Sequence, residues 1–257
     1  MIPSQFDYHA PATLAEAVTL LSRFGEGAKV LSGGQSLLPL LKLRLGSAEH
    51  LVDIGRIPGL EYIKEDGGTL KIGGRTRESA LEQSELVRAR VPILHDTVKV
   101  IADPLVRNLA TVGGNLAHGD PGNDHPATML VLGAQVVATG PSGERVIPID
   151  RFFVGLFTTA LQAGEILTEI RIPLPPARSG GAYVKLERKV GDYATAAENA
   201  LINKRPSETA IAGAARLAGE ACSPSADRRG SVEYKREMSR VLTARALKKA
   251  VERAGGQ

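Results

Sequence analysis

Two glycine doublets in matched polar settings constrain this chain more than any other feature. Ser32-Gly33-Gly34-Gln35-Ser36 follows the apolar run Val30-Leu31, and Thr111-Val112-Gly113-Gly114-Asn115 stands much further along. Each unites a small hydroxyl, two glycines and a carboxamide. Without a Cβ the backbone can turn at positive φ and approach a ligand closely, so successive N–H groups can converge on phosphate oxygens. Two such loops can grip a pyrophosphate from both sides. Gly67-Gly68, Gly73-Gly74 and Gly180-Gly181 are the ordinary turns for comparison, and they lack the hydroxyl and amide donors that accompany the first two.

The segments around these loops read as alternating helix and strand. Thr13-Leu14-Ala15-Glu16 is a capping box, and Leu14, Ala17, Val18 and Leu21 then share a face until Gly25. Lys29 to Leu31 is a short buried strand feeding the first glycine loop. Leu37 to Leu45 is helical, and Leu51 to Asp53 is another strand that closes a small α/β unit. A second unit starts with strands at Leu60 to Lys64 and Thr69 to Ile72 around the hairpin signal Asp66-Gly67-Gly68. Helices are predicted at Glu78 to Ser84, Pro92 to Ile101 and Pro126 to Leu132. Strands are predicted at Gln135 to Thr139, Glu144 to Ile147 and Glu165 to Ile172, the last with Ile166, Thr168, Ile170 and Ile172 on one face. After Pro173-Leu174-Pro175-Pro176, one strand from Ala182 to Arg188 precedes helices at Glu208 to Glu220 and Val232 to Ala254, with Ser231 as a cap. One strand is too few for a sheet of its own.

Composition excludes several classes. The single cysteine, Cys222, rules out an internal disulfide, a cysteine zinc site and an iron–sulfur cluster held by this chain alone. No run approaches the roughly 18 apolar residues of a membrane span, and the start resembles no secretory signal, so a cytoplasmic location is expected. The net charge of +4 is concentrated near the end, on a helical pattern from Lys235 to Arg253 that reads as a solvated face. No basic and aromatic interleaving suggests nucleic acid. The Gly-x-Gly-x-x-Gly fingerprint, the phosphate loop, the His-Glu-x-x-His helix and the Gly-x-Ser-x-Gly elbow are all missing. His118 and His125 with Asp120 and Asp124 are the one conceivable metal set. The glycines and Pro121 among them suit a ligand-wrapping loop better than a coordination cage, so no metal is assigned.

The glycine motifs, extended to Ser32-Gly33-Gly34-Gln35-Ser36-Leu37-Leu38-Pro39 and Gly119-Asp120-Pro121-Gly122-Asn123-Asp124, and joined by Lys189-Val190-Gly191-Asp192-Tyr193-Ala194, resemble the flavin-binding medium subunit of molybdenum hydroxylases, in particular of the carbon monoxide dehydrogenase type. The likeness runs from Phe6-Asp7-Tyr8 nearly to the end. It implies an α+β fold: a two-subdomain FAD-binding domain of the vanillyl-alcohol-oxidase/PCMH type over residues 1–57 and 58–177, then a C-terminal α+β domain of the CO dehydrogenase flavoprotein type over 178–257. By resemblance, Lys29, Val30, Leu31, Ser32, Gly33, Gly34, Gln35, Ser36 and Leu37 wrap the adenosine and diphosphate of FAD. Thr111, Gly113, Gly114, Asn115 and Ala117 close the other side. Ile101 and Ala102 lie along the adenine, Asp124 accepts from ribose hydroxyls, and Leu167, Lys185 and Tyr193 stand near the isoalloxazine ring.

The sequence departs from the family after Ala196-Ala197, where a few dozen strand-rich residues are expected and the chain passes instead to Glu198-Asn199-Ala200-Leu201. Either the C-terminal domain has lost most of its sheet or a segment has been left out of the sequence. The second reading is preferred, because unpaired strand edges are costly. The resemblance implies an electron-transfer subunit with no catalytic side chain of its own. Its partners would be a large subunit with a molybdenum cofactor and a small subunit with [2Fe-2S] clusters, assembled as a dimer of heterotrimers. A free-standing flavin oxidase and a flavin-free assembly subunit are the alternatives.

Overall fold

The computed structural model describes residues 2–185, 207–224, 226 and 230–255. It opens with strand β1 (Asp7–His9), helix α1 (Leu14–Phe24), strand β2 (Ala28–Leu31), the short helix α2 (Leu37–Lys42) and strand β3 (His50–Asp53). The Thr13 hydroxyl accepts the Glu16 N–H, and Glu16 reaches back to accept the Ala12 N–H, so the predicted capping box closes one residue upstream of its usual donor. The three strands form a parallel sheet in the order β1-β3-β2. Ala17, Val18 and Leu21 of α1 bury against Ala28, Val52 and Ile54, which fixes β2 and aims its C-terminal end at the first glycine doublet.

The next elements are strands β4 (Ile63–Asp66) and β5 (Thr69–Gly73), then helices α3 (Glu78–Gln83), α4 (Glu85–Arg90), α5 (Pro92–Lys99), α6 (Pro104–Arg107), α7 (Val112–Ala117) and α8 (Asp124–Val131). Strands β6 (Gln135–Gly140), β7 (Gly143–Pro148), β8 (Phe153–Gly155), β9 (Thr158–Thr159) and β10 (Ile166–Pro173) follow. β4, β5, β10, β6 and β7 form an antiparallel sheet in that order. Helices cover one face, where Leu70, Ile72, Leu94, Leu116, Met129, Phe152 and Ile170 make the larger core.

The expectation for β10 is corrected. Its pairing with β6 slips between Leu167 and Glu169, a bulge that breaks strict alternation. Leu167 therefore joins Ile170 and Ile172 in the larger core, while Ile166 turns to the cluster around α1. That one slip lets β10 serve both hydrophobic clusters.

Near the bulge three backbones approach without side chains between them. A Cβ on Gly74 would stand 2.2 Å from the Leu167 carbonyl oxygen, and one on Gly113 would stand 2.3 Å from that of Gly74. The Gly113 N–H donates to Gly74 O at 3.0 Å, so α7 is bonded directly to the end of β5.

The C-terminal region contains helices α9 (Glu208–Ala221) and α10 (Val232–Gly255), packed on each other and capped by the hydroxyls of Ser207 and, as predicted, Ser231. The strand expected from Ala182 does not form over Ala182 to Lys185, and 186–188 lie outside the described residues. The reason is that backbone groups there are taken by side chains: Asp96 accepts the Tyr183 N–H, and Arg253 donates to Gly181 O. Asp96 also receives Lys249 at 3.1 Å and Arg253 at 2.7 Å. Among the described residues no helix is long and apolar enough to cross a membrane.

Two outcomes are expected from this packing. Gly113→Ala forces its methyl against the Gly74 carbonyl and should lower the unfolding free energy by about 2 kcal/mol or more in a denaturant titration. For Asp96, burial alone would raise the carboxyl, but hydrogen bonds and charge from Arg253 and Lys249 outweigh it and hold the group below the ordinary carboxylate value. Its contribution to stability is present above that ordinary value and fades as pH falls through the lowered one. Acid titration of wild type against Asp96→Asn should show the two stabilities converging only in that acid range.

Candidate functional site

The first glycine doublet leaves β2 and turns at Gly34, whose φ of +75° lies in the left-handed region that glycine tolerates. Among the described residues the backbone N–H groups of 33–36 donate no hydrogen bond, so a run of donors is available to a ligand. The second doublet is built differently. It is the first turn of α7, not a free loop: Thr111 is the N-cap and its hydroxyl takes the Gly114 N–H at 3.3 Å, while the Val112 and Gly113 N–H groups go to Thr76 O and Gly74 O. The symmetrical pair of backbone cradles expected from the sequence is therefore asymmetrical. The first supplies N–H groups, and the second supplies side chains on a rigid support.

The two doublets meet. The Ser32 and Thr111 hydroxyls are 2.9 Å apart, and a Cβ on Gly33 would stand 2.3 Å from Leu109 O. Between them lies a cavity of about 490 Å³. Its wall includes Lys29, Val30, Ser32, Gly33, Gly34, Gln35, Ser36 and Leu37 from the first segment, Thr111, Gly113, Gly114, Asn115 and Ala117 from the second, and Leu167 at the bulge. Asn115 Oδ1 is buried and has no hydrogen-bond partner, an acceptor that a bound hydroxyl or amide would satisfy.

The other expected site residues stand outside this wall. Leu31 ends β2 behind Gly34. Ile101 is buried and Ala102 sits at φ +43°, with Arg107 donating to both carbonyls while paired with Glu82. Asp124 and Lys185 form a buried ion pair at 2.9 Å, with side chains 8% and 2% exposed. The Lys185 ammonium also donates to Val100 O, and the Tyr183 hydroxyl donates to Asp124 Oδ1 at 2.7 Å. Burial, then the negative charge of Asp124, then this hydrogen bond push the Tyr183 phenol far above its ordinary value, so it stays a donor. Asn123, next to Asp124, donates from its side chain to Asn115 O at 3.1 Å, which links this cluster to the cavity wall. Tyr193 lies outside the described residues.

Several wall residues escaped the sequence reading: His118, Leu161, Gln162, Glu165 and Ile166. His118, the C-cap of α7, is one turn beyond Asn115 and was within reach of helical spacing. The others arrive through the β8–β9 hairpin and the approach to β10, where Phe157 donates its N–H to Gly119 O, and no local signal marks them. Arg145 pairs with Glu165 through both oxygens and outweighs the burial that would raise its carboxyl, so this carboxylate is ionised and neutralised in place. Behind the wall, Glu78 donates its N–H to Ala110 O and its carboxylate meets His125 Nε2 at 2.7 Å, both side chains fully buried. His125 is thus a packing partner of α3.

A two-lobed α+β scaffold, with a cleft between glycine segments and a lining of hydroxyls, amides and N–H donors, defines a dinucleotide-cofactor protein. The model of the FAD binding domain in molybdopterin dehydrogenase matches residues 4–175, and that of the CO dehydrogenase flavoprotein C-terminal domain matches residues 183–250. The chain belongs to the molybdopterin dehydrogenase FAD-binding family. It is 42% identical to the carbon monoxide dehydrogenase medium chain of Hydrogenophaga pseudoflava over 282 residues, covering 97% of this chain and 98% of the relative. It is 41% identical to the medium chain of the same enzyme from Afipia carboxidovorans, covering 99% of each. Among solved structures it resembles the H. pseudoflava carbon monoxide dehydrogenase lacking the Mo-pyranopterin moiety of its cofactor (TM-score 0.92, 42% identity, 98% and 99% covered). It also resembles quinoline 2-oxidoreductase of Pseudomonas putida 86 (TM-score 0.91, 30% identity, 99% of each covered). The chain is an FAD-binding oxidoreductase subunit of this family, as its sequence motifs indicated.

The Ser32–Thr111 contact predicts a sensitive site. Thr111→Val removes the cap of α7 and the hydroxyl facing Ser32 together, and should cost about 1 kcal/mol of stability. Equilibrium denaturation measures that loss, and FAD titration should show weaker binding in the same variant.

Proposed function

We propose that this chain holds FAD non-covalently in the cleft between its two glycine segments and is the electron outlet of a molybdenum hydroxylase. The observation that carries this reading is the 2.9 Å hydroxyl contact between Ser32 and Thr111, which makes one wall of two remote segments. The N–H groups of 33–36 face the diphosphate, the Thr111 hydroxyl and Asn115 amide complete the polar grip, and Leu167 lies against the ring system. Asp124 and Lys185 stand behind the wall as a neutral pair, and each keeps hydrogen-bonding capacity beyond that pair: a lone pair on the carboxylate for a ribose hydroxyl and a third N–H on the ammonium.

When bound, the flavin accepts electrons singly and releases them singly or in pairs, which suits a position between iron–sulfur clusters and an external acceptor. The protein's part is to bind, orient and shield it. The partners are a small subunit carrying [2Fe-2S] clusters and a large subunit carrying the molybdenum cofactor, arranged as a dimer of heterotrimers in the cytoplasm. The single cysteine supports that division, because this chain alone cannot ligate a cluster. Residues 1–57, 58–177 and 178–257 form the two flavin subdomains and the C-terminal domain. An alignment of 282 residues against a chain of 257 supports a segment present in the relatives and missing here, which we assign to the region after Ala197.

Purified protein should release FAD near one equivalent on denaturation, and Gly114→Val should abolish retention with the far-ultraviolet circular dichroism unchanged. The valine side chain would press on Thr111 Oγ1, which lies 2.8 Å from the position of a Cβ, and project toward Ser32. A colourless wild-type protein would sink the flavin reading, and a monomer that turns over substrate with oxygen would sink the subunit reading.

A further inference from the structure

Among the described residues the most heavily bonded carboxylate outside the cleft is Asp96 on α5. It accepts from Arg253 with both oxygens, from the Lys249 ammonium and from the Tyr183 N–H, with its side chain 15% exposed. Arg253 also donates to Gly181 O at 2.6 Å. The fit between the last turns of α10 and the segment 180–181 leaves no room for a side chain: a Cβ on Gly180 would stand 1.9 Å from Ala250 O. Further along, the same segment carries Tyr183 and Lys185. These two side chains take both oxygens of Asp124 and the carbonyl of Val100. Asn123 then ties the start of α8 to Asn115 in the cavity wall.

We propose that Asp96, clamped by Arg253 and Lys249, is a positioning residue for the flavin: it seats the strap 180–185, and through Tyr183 and Lys185 fixes Asp124 and Val100 behind the cleft and, by way of Asn123, Asn115 in its wall. The inference rests on the cofactor placement proposed above and extends it to a helix at the far end of the chain. Its physical basis is that a chain segment without regular hydrogen bonding has few ways to hold a fixed path. Here the backbone groups of 181 and 183 are fixed by an ion cluster, and the side chains at 183 and 185 inherit that path. A purely stabilising salt bridge would not need to bond the strap's backbone. Asp96 and Arg253 both do.

The test uses the full chain, stripped of FAD and reconstituted, with binding followed by quenching of flavin fluorescence. Asp96→Asn and Arg253→Ala should each raise the FAD dissociation constant at least tenfold and shift the visible absorption of the bound flavin. Arg253→Lys, which keeps the charge, should recover most of the affinity. Lys248→Ala, which cuts an exposed α10 ion pair with Glu208, should change neither property and controls for general loosening of the helix. Dissociation constants within twofold of wild type in Asp96→Asn and Arg253→Ala would overturn the inference, even with a lowered melting temperature. A wild-type chain that binds no FAD would overturn it together with the flavin reading.

Discussion

The molecule depends on a contact in which two lobes meet with no side chain between them. Gly33 passes so close to Leu109 and Ala110 that even a methyl group has no place, and the neighbouring hydroxyls of Ser32 and Thr111 then reach bonding distance. Everything at the cleft follows from that approach. The parallel sheet delivers Ser32 from below, the antiparallel sheet delivers Thr111 through α7, and Gly74 and Gly113 remove the remaining obstacles behind. Close-packed backbones of this kind tolerate no added volume, which is why the site is rigid where it is most crowded.

Charge is arranged around the cleft so that little of it is left uncompensated. Glu165 is paired by Arg145, Asp124 by Lys185, and Glu82 by Arg107. What faces the cavity is then largely neutral: hydroxyls, carboxamides, N–H groups and apolar side chains, with Lys29 among the few charged members. Such a lining can take up the negative charge of a diphosphate through many weak donors without leaving a buried ion of its own unmatched. The orphaned oxygen of Asn115 is the exception, and it lies in the cavity wall, where a ligand would satisfy it.

Much of this was legible in the residues, because the signals were local. The capping box at Thr13, the hairpin at Gly67-Gly68, the cap at Ser231 and both glycine doublets are short motifs whose meaning depends on neighbours in sequence. What failed depended on distant partners. The slip in β10 is set by its pairing with β6, and the missing strand at Ala182 is set by Asp96 and Arg253, which stand far away in the chain. The second doublet was read as a loop, because glycines are poor helix formers and the carbonyls of Thr76 and Gly74 that satisfy the first N–H groups of α7 stand far away in the chain. Asp124 and Lys185 were linked to the cofactor by family likeness, and only the fold reveals that they face each other.

The long C-terminal helix has a further consequence. Over its 24 residues only Ser239 is buried, and its last turns are fastened to the body of the protein by Arg253 and Lys249 on one carboxylate as well as by the close approach of Ala250 to Gly180. A hydrophobic seam is not screened by dissolved ions, and excluded salts even strengthen it, whereas a partly exposed ion cluster weakens once the Debye length falls well below its roughly 10 Å value at moderate ionic strength. The last turns of α10 are therefore loosened by the same screening that leaves the apolar core in place.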